Sequence, residues 1–165
     1  MKLDVLAFGV HPDDVELSCS GVLMVEKSNG KTTGIIDLTE GELGTRGTID
    51  TRKQEAADAA EILGVDIREN VQLADGFFEN NKASQIKIIE KIRKYQPEII
   101  LCNAVEDRHP DHGRSAQLVA DAAFLSGLRK IETTTAGVLQ EAWRPKYVLH
   151  CIQDRYLNPD FVVDI

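Results

Sequence analysis

Three of the four histidines in this sequence lie in two short acidic segments whose residue types suit a metal site. The first segment, His11-Pro-Asp-Asp14, directly follows the apolar run LAFGV, and the second, Arg108-His109-Pro-Asp-His112, lies shortly after IILCN. Imidazole nitrogens and a carboxylate are the usual ligands of catalytic zinc, which takes three protein ligands and keeps a fourth position open. The H-x-x-D spacing places His11 and Asp14 about one helical turn apart. A histidine of the second segment completes the set, and we assign His112 because it lies nearest to the start of the following helix.

The other residues of the two segments suit acid–base chemistry. Asp13 lies beside the predicted metal without being needed as a ligand, which suits a general base that takes a proton from an activated water. His109 is expected on the opposite wall, where its cationic form can stabilise an oxyanion or protonate a leaving amine. Two histidines and one carboxylate also form the facial triad of non-haem iron oxygenases. An oxygenase, and the choice between zinc and ferrous iron, therefore stay open.

A glycine-rich stretch from Gly41 to Gly47 adds charged side chains. It lacks the G-K-[ST] ending and the G-x-G-x-x-G spacing of nucleotide-binding loops, so we exclude a nucleotide fold. A loop of this length after a strand is more often functional than idle. The arginines in and near the two loops can bind a substrate carboxylate or phosphate through paired hydrogen bonds. The candidate substrate-binding residues are Glu42, Arg46, Arg52 and Arg108. A metal-stabilised module that binds anions without turnover is the non-enzyme alternative.

Strand and helix patterns alternate along the chain. Short apolar runs predict strands, and apolar residues at helical spacing with capping residues or glycines at their ends predict helices. Strands are predicted over 3–9, 32–38, 98–103, 147–152 and 161–165, and a loop is predicted over 39–50. Two helices are predicted over 14–28 and 114–125. A further helix is capped by Thr51 and runs to about 63, and another contains Ile86, Ile89 and Ile92 and ends before Pro97. Such repeated units specify an α/β fold with a mostly parallel sheet. Ligands of these folds bind at the carboxyl ends of the strands, so both histidine segments are expected at one sheet edge.

The composition of the chain limits the classes of protein to which it can belong. The chain has 165 residues, a net charge of −8, 42% hydrophobic and 28% charged residues, which is a globular composition that fills one domain. The acidic balance without a basic run argues against nucleic acid or an anionic membrane surface as a partner. Cys19, Cys102 and Cys151 are an odd, dispersed set without C-x-x-C spacing, so we interpret them as reduced packing thiols, and His150 as a core or edge histidine. Neither a secretory signal nor an apolar stretch of membrane-spanning length is found, so a cytoplasmic protein is expected.

The sequence resembles the LmbE/PIG-L family of metal-dependent N-acetylglucosaminyl deacetylases. The segment from Gly9 to Glu16, GVHPDDVE, matches the A-H-P-D-D-[VE]-E signature of that family, and His109-Pro-Asp-His112 matches its later H-x-x-H. The stretch from Asp37 to Gly47, followed by Arg52-x-x-Glu55-Ala, resembles the branch that acts in bacillithiol biosynthesis.

This resemblance implies a Rossmann-like three-layer α/β/α fold and a zinc-dependent hydrolase that removes the N-acetyl group from an N-acetylglucosaminyl conjugate. N-acetylglucosaminyl malate is the substrate it implies, and another N-acetylated sugar is the alternative. On the matching residues it implies zinc ligation by His11, Asp14 and His112, Asp13 as general base, His109 as the residue that stabilises the tetrahedral intermediate, and Arg52 in substrate binding. It also implies a homo-oligomer, a trimer or hexamer.

The resemblance bears on chain length as well. Relatives of this branch continue beyond a segment like PDFVVDI, so residues 1–165 are expected to form a single deacetylase domain that lacks its C-terminal region. The apolar residues from Phe161 to Ile165 are then expected to form an exposed edge that a partner chain or a further segment covers.

Overall fold

The computed structural model describes residues 1–165, and a sheet of five parallel strands lies at its centre. In chain order the elements are β1 (Val5–Gly9), α1 (Asp14–Ser18), α2 (Ser20–Ser28), β2 (Thr33–Thr39), α3 (Ile49–Leu63), β3 (Ile67–Leu73), α4 (Lys82–Tyr95), β4 (Ile99–Cys102), α5 (Pro110–Leu125), β5 (Thr134–Thr135), β6 (Val138–Leu139) and β7 (Tyr147–His150). The order in the main sheet is β3-β2-β1-β4-β7, and β5 and β6 form a separate antiparallel pair. The predicted α/β class with a mostly parallel sheet is confirmed.

The strand order places a crossover beside β1. The chain runs from β1 outward to β2 and β3, then returns to the other side of β1 to form β4 and later β7. Val5 of β1 is accordingly in register with Thr33 of β2 on one side and with Ile99 of β4 on the other. In a doubly wound sheet, the loops after the two central strands diverge at this point and leave a crevice at the carboxyl ends.

Helices cover both faces of the sheet, which explains why its central strands are continuously apolar. The larger core lies between the sheet and helices α4 and α5, and the smaller core lies between the sheet and helices α1, α2 and α3. Phe8 is buried in the larger core, whereas its neighbour Ala7 is buried in the smaller one. Successive residues of β1 thus enter opposite cores, as the period of a strand requires, and the architecture is a three-layer α/β/α fold.

The helix predicted over 14–28 is interrupted at Cys19, which separates α1 from α2. Ser18 Oγ donates to the carbonyl of Asp14 at 2.6 Å, and Ser20 Oγ donates to the carbonyl of Glu16 at 2.7 Å. Serine hydroxyls that bond to carbonyls one turn back compete with the backbone and bend helices. The prediction of one continuous helix was wrong for this reason.

Two further helices begin earlier than predicted. α3 begins at Ile49, and its N-cap is Thr48, whose Oγ1 accepts a hydrogen bond from Thr51 N at 3.2 Å, so the cap predicted at Thr51 was wrong. α5 begins at Pro110 rather than at 114, because proline suits the first turn of a helix and His109 caps it. His112 therefore lies in the first turn of α5 and not in a loop.

Two strand predictions also differ from the structure. β3 was missed, because the charges of Arg68 and Glu69 interrupt the apolar pattern of this edge strand, IRENVQL. The strand predicted over 161–165 was wrong, since this segment has no regular secondary structure. Phe161, Val162 and Ile165 are 60%, 81% and 78% exposed. None of the helices combines the length and the apolar character that crossing a bilayer requires.

Candidate metal centre and active site

The carboxyl ends of the five parallel strands surround a cavity of about 490 Å³. Both histidine segments open into it, one after β1 and one after β4, on the two sides of the crossover. The loops after β2, β3 and β7 complete its wall. The charged and histidine residues that line the cavity are His11, Asp13, Asp14, Arg52, Asp75, Asp107, Arg108, His109, His112 and Asp154.

Asp14 is the most constrained acid in this cavity. Its Oδ2 atom accepts hydrogen bonds from the backbone N–H groups of Val10 at 2.9 Å and His11 at 3.0 Å, and from Asn103 Nδ2 at 3.2 Å. The other oxygen, Oδ1, lies 3.2 Å from His112 Nε2. The turn after β1 and Asn103 after β4 therefore donate all three hydrogen bonds to one oxygen of Asp14, and the other oxygen faces His112.

Two further aspartates each place a carboxylate oxygen close to a ring nitrogen of one histidine. Asp75 Oδ1 lies 3.0 Å from His11 Nε2, and Asp107 Oδ2 lies 3.2 Å from His112 Nδ1. Carboxylates in such positions fix the tautomer and the ring orientation of metal-binding histidines and increase their basicity. His11 thereby keeps Nδ1 and His112 keeps Nε2 for the side of the cavity where Asp14 lies.

These outer carboxylates were missed in the sequence. Asp75 follows β3, the strand that the pattern does not reveal, and nothing near it in the sequence marks it as part of the site. Asp107 lies only two residues before His109, and its position in an acidic segment after a strand was the one available signal.

The charges at the site favour a cation. Burial raises the pKa of Asp14, but hydrogen bonds with His11 and His112 outweigh it and hold the pKa well below its usual range. Burial lowers the pKa of His112, but Asp14 and Asp107 outweigh it and raise the pKa to about 9. The pKa of His11 is likewise raised, because Asp14 and Asp75 outweigh its burial. These raised pKa values mean that the acids favour positive charge on the two imidazole rings.

The donor atoms present fit a divalent metal. Ligand atoms of His11, Asp14 and His112 all lie within 4.8 Å of one another, as two nitrogens and one oxygen around a single ion require. His112 Nδ1 and Asp107 Oδ2 are buried 3.2 Å apart without a well-aligned hydrogen bond, so this outer pair is not fully satisfied in the chain without an ion. These three side chains would hold the metal, and a water-accessible position would remain on the cavity side.

The ligand atoms of a second group also lie within 4.8 Å of one another, and this group consists of His11, His109 and Asp111. Asp111 is fully buried, and both of its oxygens are occupied: Oδ2 accepts from Gly76 N at 2.8 Å and Oδ1 accepts from Arg114 Nη1 at 2.6 Å. A carboxylate already engaged in this way is a poor metal ligand. The set that contains Asp14 is therefore the better one.

His109 and Asp13 lie beside the ligand cluster. The ring of His109 stacks on that of His112 with centroids 5.1 Å apart and meets the ring of His11 edge-on at 4.9 Å. Asp13 is the N-cap residue of α1, but its side chain makes no capping hydrogen bond. Its carboxylate is exposed in the cavity, next to Asp14.

Of the four predicted substrate-binding residues, two line the cavity and two lie outside its wall. Arg52 and Arg108 line the cavity, and Arg108 lies 3.7 Å from Asp154 at its rim. Arg46 is exposed and lies outside the cavity wall. Glu42 is also outside the wall, and its carboxylate accepts a hydrogen bond from Asp75 N at 2.8 Å. Glu42 thus supports the loop that carries Asp75.

A doubly wound parallel sheet defines a Rossmann-like domain, and the His-Asp-His cluster at its crossover offers donor atoms that fit a divalent cation. The family described as PIG-L, GlcNAc-PI de-N-acetylase, matches residues 6–123, and the chain belongs to this family. The match includes both histidine segments and the glycine-rich loop between them.

Curated relatives and a solved structure agree with this assignment. The chain is 34% identical to the uncharacterized deacetylase YaiS of Escherichia coli (strain K12) over 66% of this chain and 61% of that protein. It is 28% identical to the diacetylchitobiose deacetylase of Thermococcus kodakarensis over 75% of this chain and 50% of that protein. The structure of the conserved protein TT1542 from Thermus thermophilus superimposes with a TM-score of 0.88 at 36% identity, over 96% of this chain and 70% of that one.

The sequence also matches a protein whose name gives a different reaction. The chain is 24% identical to the 4-oxalmesaconate hydratase of Pseudomonas putida over 73% of this chain and 52% of that protein. The chain thus spans between 50% and 61% of the length of these curated relatives.

Proposed function

We propose that the chain is a zinc-dependent hydrolase that removes the acetyl group from an N-acetylated sugar conjugate, with N-acetylglucosaminyl malate of bacillithiol biosynthesis as its substrate. The observation that carries this proposal is the convergence of His11, Asp14 and His112 in one cavity with Asp13 and His109. Membership in a family described as a de-N-acetylase supports the reaction class. When bound, zinc supplies a Lewis acid that polarises the acetamide carbonyl and lowers the pKa of water.

Asp13 is the proposed general base. Its carboxylate makes no capping hydrogen bond and lies in the cavity beside Asp14, so both oxygens are available to take a proton from water. A base in this position contributes about 10²- to 10⁴-fold to the rate. Asp13 touches no other group of the site through a hydrogen bond, so its substitution leaves the ligand cluster intact.

His109 is the proposed oxyanion partner. Its Nδ1 accepts a hydrogen bond from Asp111 N at 3.3 Å, which assigns the proton of the neutral ring to Nε2. The Nε2–H group can donate to the carbonyl oxygen as negative charge develops there. The proton that the sugar nitrogen needs as the amide bond breaks is the one that Asp13 has taken from water, so that acetate and a free amine leave.

The arginines of the cavity support an anionic substrate. Arg52 packs over the glycine-rich loop so closely that a Cβ atom on Gly41 would lie 2.7 Å from Arg52 Nη1. Arg108 is 83% exposed at the rim. Two guanidinium groups at the mouth of an acidic cavity suit a substrate with a neutral acetamide at one end and carboxylates at the other, as in the malate conjugate.

An acetate-release assay tests the proposal. N-acetylglucosaminyl malate, free N-acetylglucosamine and diacetylchitobiose are compared with the chain loaded with zinc or, under anaerobic conditions, with ferrous iron. We expect release from the malate conjugate. Asp13→Asn should lower kcat about 10²- to 10⁴-fold at unchanged zinc content, whereas Asp160→Asn, an exposed control, should not.

Arginine variants test the substrate class separately. Arg52→Met should raise KM for the malate conjugate about tenfold or more, because it removes hydrogen bonds from a charged group. The matched Arg46→Met variant, outside the cavity, should leave KM unchanged. Equal effects of both variants would contradict the placement of the substrate.

Other outcomes would replace the proposal. Acetate from diacetylchitobiose but not from the malate conjugate would indicate another N-acetylated sugar. Oxygen consumption with an oxo-acid in the ferrous chain would indicate an oxygenase, and hydration of an unsaturated dicarboxylate without acetate release would indicate a hydratase. The trimer or hexamer stays a prediction that light scattering of the chain can check.

A further inference from the structure

A buried asparagine lies behind the candidate metal ligands. Asn103 directly follows β4, is only 2% exposed, and is not one of the residues that line the cavity. Its side chain lies between Asp14, the first residue of α1, and Ser115 of α5, and both of these residues are buried as well. Asn103 is thus enclosed by protein, and a substrate in the cavity does not reach it.

Two hydrogen bonds fix the orientation of the Asn103 side chain. Asn103 Nδ2 donates to Asp14 Oδ2 at 3.2 Å, and Ser115 Oγ donates to Asn103 Oδ1 at 3.2 Å. An ionised carboxylate can only accept hydrogen bonds, so the amide must present its NH₂ group to Asp14 and its oxygen to Ser115. Because all three side chains are buried and one is charged, these bonds are stronger than bonds at the surface.

This network joins the two segments that carry the candidate ligands. Asp14 belongs to the segment after β1, whereas Ser115 lies one helical turn after His112 in α5. The second oxygen of Asp14, Oδ1, lies 3.2 Å from His112 Nε2. The network therefore connects the carboxylate of one ligand to the helix that carries another, on the side away from the cavity.

The other donors to Asp14 act differently from Asn103. The backbone N–H groups of Val10 and His11 also donate to Oδ2, but they belong to the same turn as Asp14. These two bonds hold the carboxylate relative to its own segment. The bond from Asn103 instead holds it relative to the segment after β4, from which His112 comes.

We propose that Asn103 is a positioning residue of the metal centre, which holds Asp14 in the orientation that binds the ion and is itself anchored by Ser115. Asn103 acts through Asp14 and touches neither the ion nor the substrate. Outer partners of metal ligands contribute about 10- to 100-fold to metal affinity. The inference rests on the metal site of the proposed function, but it does not depend on which reaction that site catalyses.

Competition for zinc with a chromophoric chelator tests the inference. Asn103→Leu removes the donor at similar size, and we expect it to bind zinc about 10- to 100-fold more weakly than the unmodified chain. The visible absorption of bound Co²⁺, which reports the geometry of its ligands, should change as well. The control Asn70→Leu removes an amide that donates to the Thr39 carbonyl and lies outside the cavity wall, so it should change neither quantity.

A pair of serine variants covers the case in which Asn103→Leu does not fold. Ser115 and Ser126 are both fully buried, but Ser126 lies at the far end of α5 and donates to the Trp143 carbonyl at 2.7 Å. Ser115→Ala should weaken zinc binding about two- to tenfold, the effect of one neutral hydrogen bond. Ser126→Ala should destabilise the fold in urea titrations and bind zinc as the unmodified chain does.

The two steps of the network can also be tested together. If Ser115 acts through Asn103, adding Ser115→Ala to Asn103→Leu should cause no further loss of zinc affinity. Unchanged zinc affinity and Co²⁺ absorption in Asn103→Leu would overturn the inference. Equal losses in Ser115→Ala and Ser126→Ala would overturn it too, because they would indicate general destabilisation. A chain that shows the expected zinc affinities but releases no acetate would contradict the proposed function alone, since none of these measurements uses a substrate.

Discussion

Asp107→Asn is the substitution that tests most directly whether the outer carboxylates influence the proposed metal centre. Asp107 Oδ1 accepts a hydrogen bond from His109 N at 2.9 Å, and Oδ2 lies 3.2 Å from His112 Nδ1. An asparagine keeps its oxygen for the His109 N–H and therefore turns its NH₂ group toward His112. That group donates, so it favours the tautomer of His112 with the proton on Nε2. Nε2 is the nitrogen that lies 3.2 Å from Asp14 Oδ1 and would bind the metal.

The expected loss of zinc affinity follows from two opposing effects. Removing a carboxylate behind a metal-binding histidine weakens metal binding about 10- to 100-fold, which corresponds to about 1.4–2.7 kcal/mol. Removing Asp107 also lowers the pKa of His112 from about 9, so that zinc displaces a proton more easily. The second effect offsets part of the first. We therefore expect a net loss of about tenfold near neutral pH.

Competition for zinc with a chromophoric chelator measures this loss. Asp154→Asn is the matched control, because Asp154 also lines the cavity and carries the same charge but pairs with Arg108 rather than with a histidine. We expect the control to bind zinc as the unmodified chain does. Equal losses for the two variants would mean that only the total charge of the cavity matters, and unchanged affinity of Asp107→Asn would refute the tautomer argument.

Three further predictions concern stability and the glycine-rich loop. Leu118→Ala should lower the free energy of unfolding by about 2–5 kcal/mol in urea titrations, because Leu118 is fully buried in the larger core, whereas Ile62→Ala, at a residue 78% exposed, should change it by less than about 0.5 kcal/mol. Burial raises the pKa of Glu69, but ion pairs with two lysines outweigh it and hold the pKa at about 2, below its usual 4.5. The stabilisation from Glu69 should therefore be complete above about pH 4.5 and disappear as the pH falls toward 2, so thermal melts of Glu69→Gln and the unmodified chain should differ only at the higher pH. Gly41→Ala should displace Arg52 and raise KM for an anionic substrate with little change in kcat, and an unchanged KM would contradict this.

The two histidine segments could be predicted from the sequence because each follows a buried apolar strand. Strands such as β1 and β4 are covered on both faces, so their composition is unmistakable, and a parallel arrangement brings their carboxyl ends to one edge. His11 and His112 are accordingly brought together by topology alone. The start of α5 at Pro110 then decides which ring atoms face each other, and the capping role of His109 that sets this start is a matter of local geometry.

The remaining parts of the site depend on pairings that no local pattern encodes. β3 carries Arg68, whose guanidinium forms a bidentate pair with Asp37 of β2 at 2.8 and 2.9 Å and also contacts Glu16 of α1. When the ion-pair partner of a charged residue is unknown, the sequence around that residue has the polar pattern of a loop rather than of a buried strand. Because β3 was not predicted, Asp75, which follows this strand, was not recognised as a residue of the site.

The proposed cation would also explain why so many acids are tolerated at one point of the fold. Asp111 is neutralised by Arg114 at 2.6 Å, but the other aspartates around the three histidines have no arginine or lysine within ion-pairing distance on the cavity floor. Burying such charges is costly unless a positive charge accompanies them. The raised pKa values of His11 and His112 favour protons that would supply it without a metal, and a divalent ion would supply two charges while the rings stay neutral. Protons and a metal ion would thus compete for the same group of carboxylates. Arg52 and Arg108 lie at the wall and rim of the cavity instead, where they can bind the anionic part of a substrate.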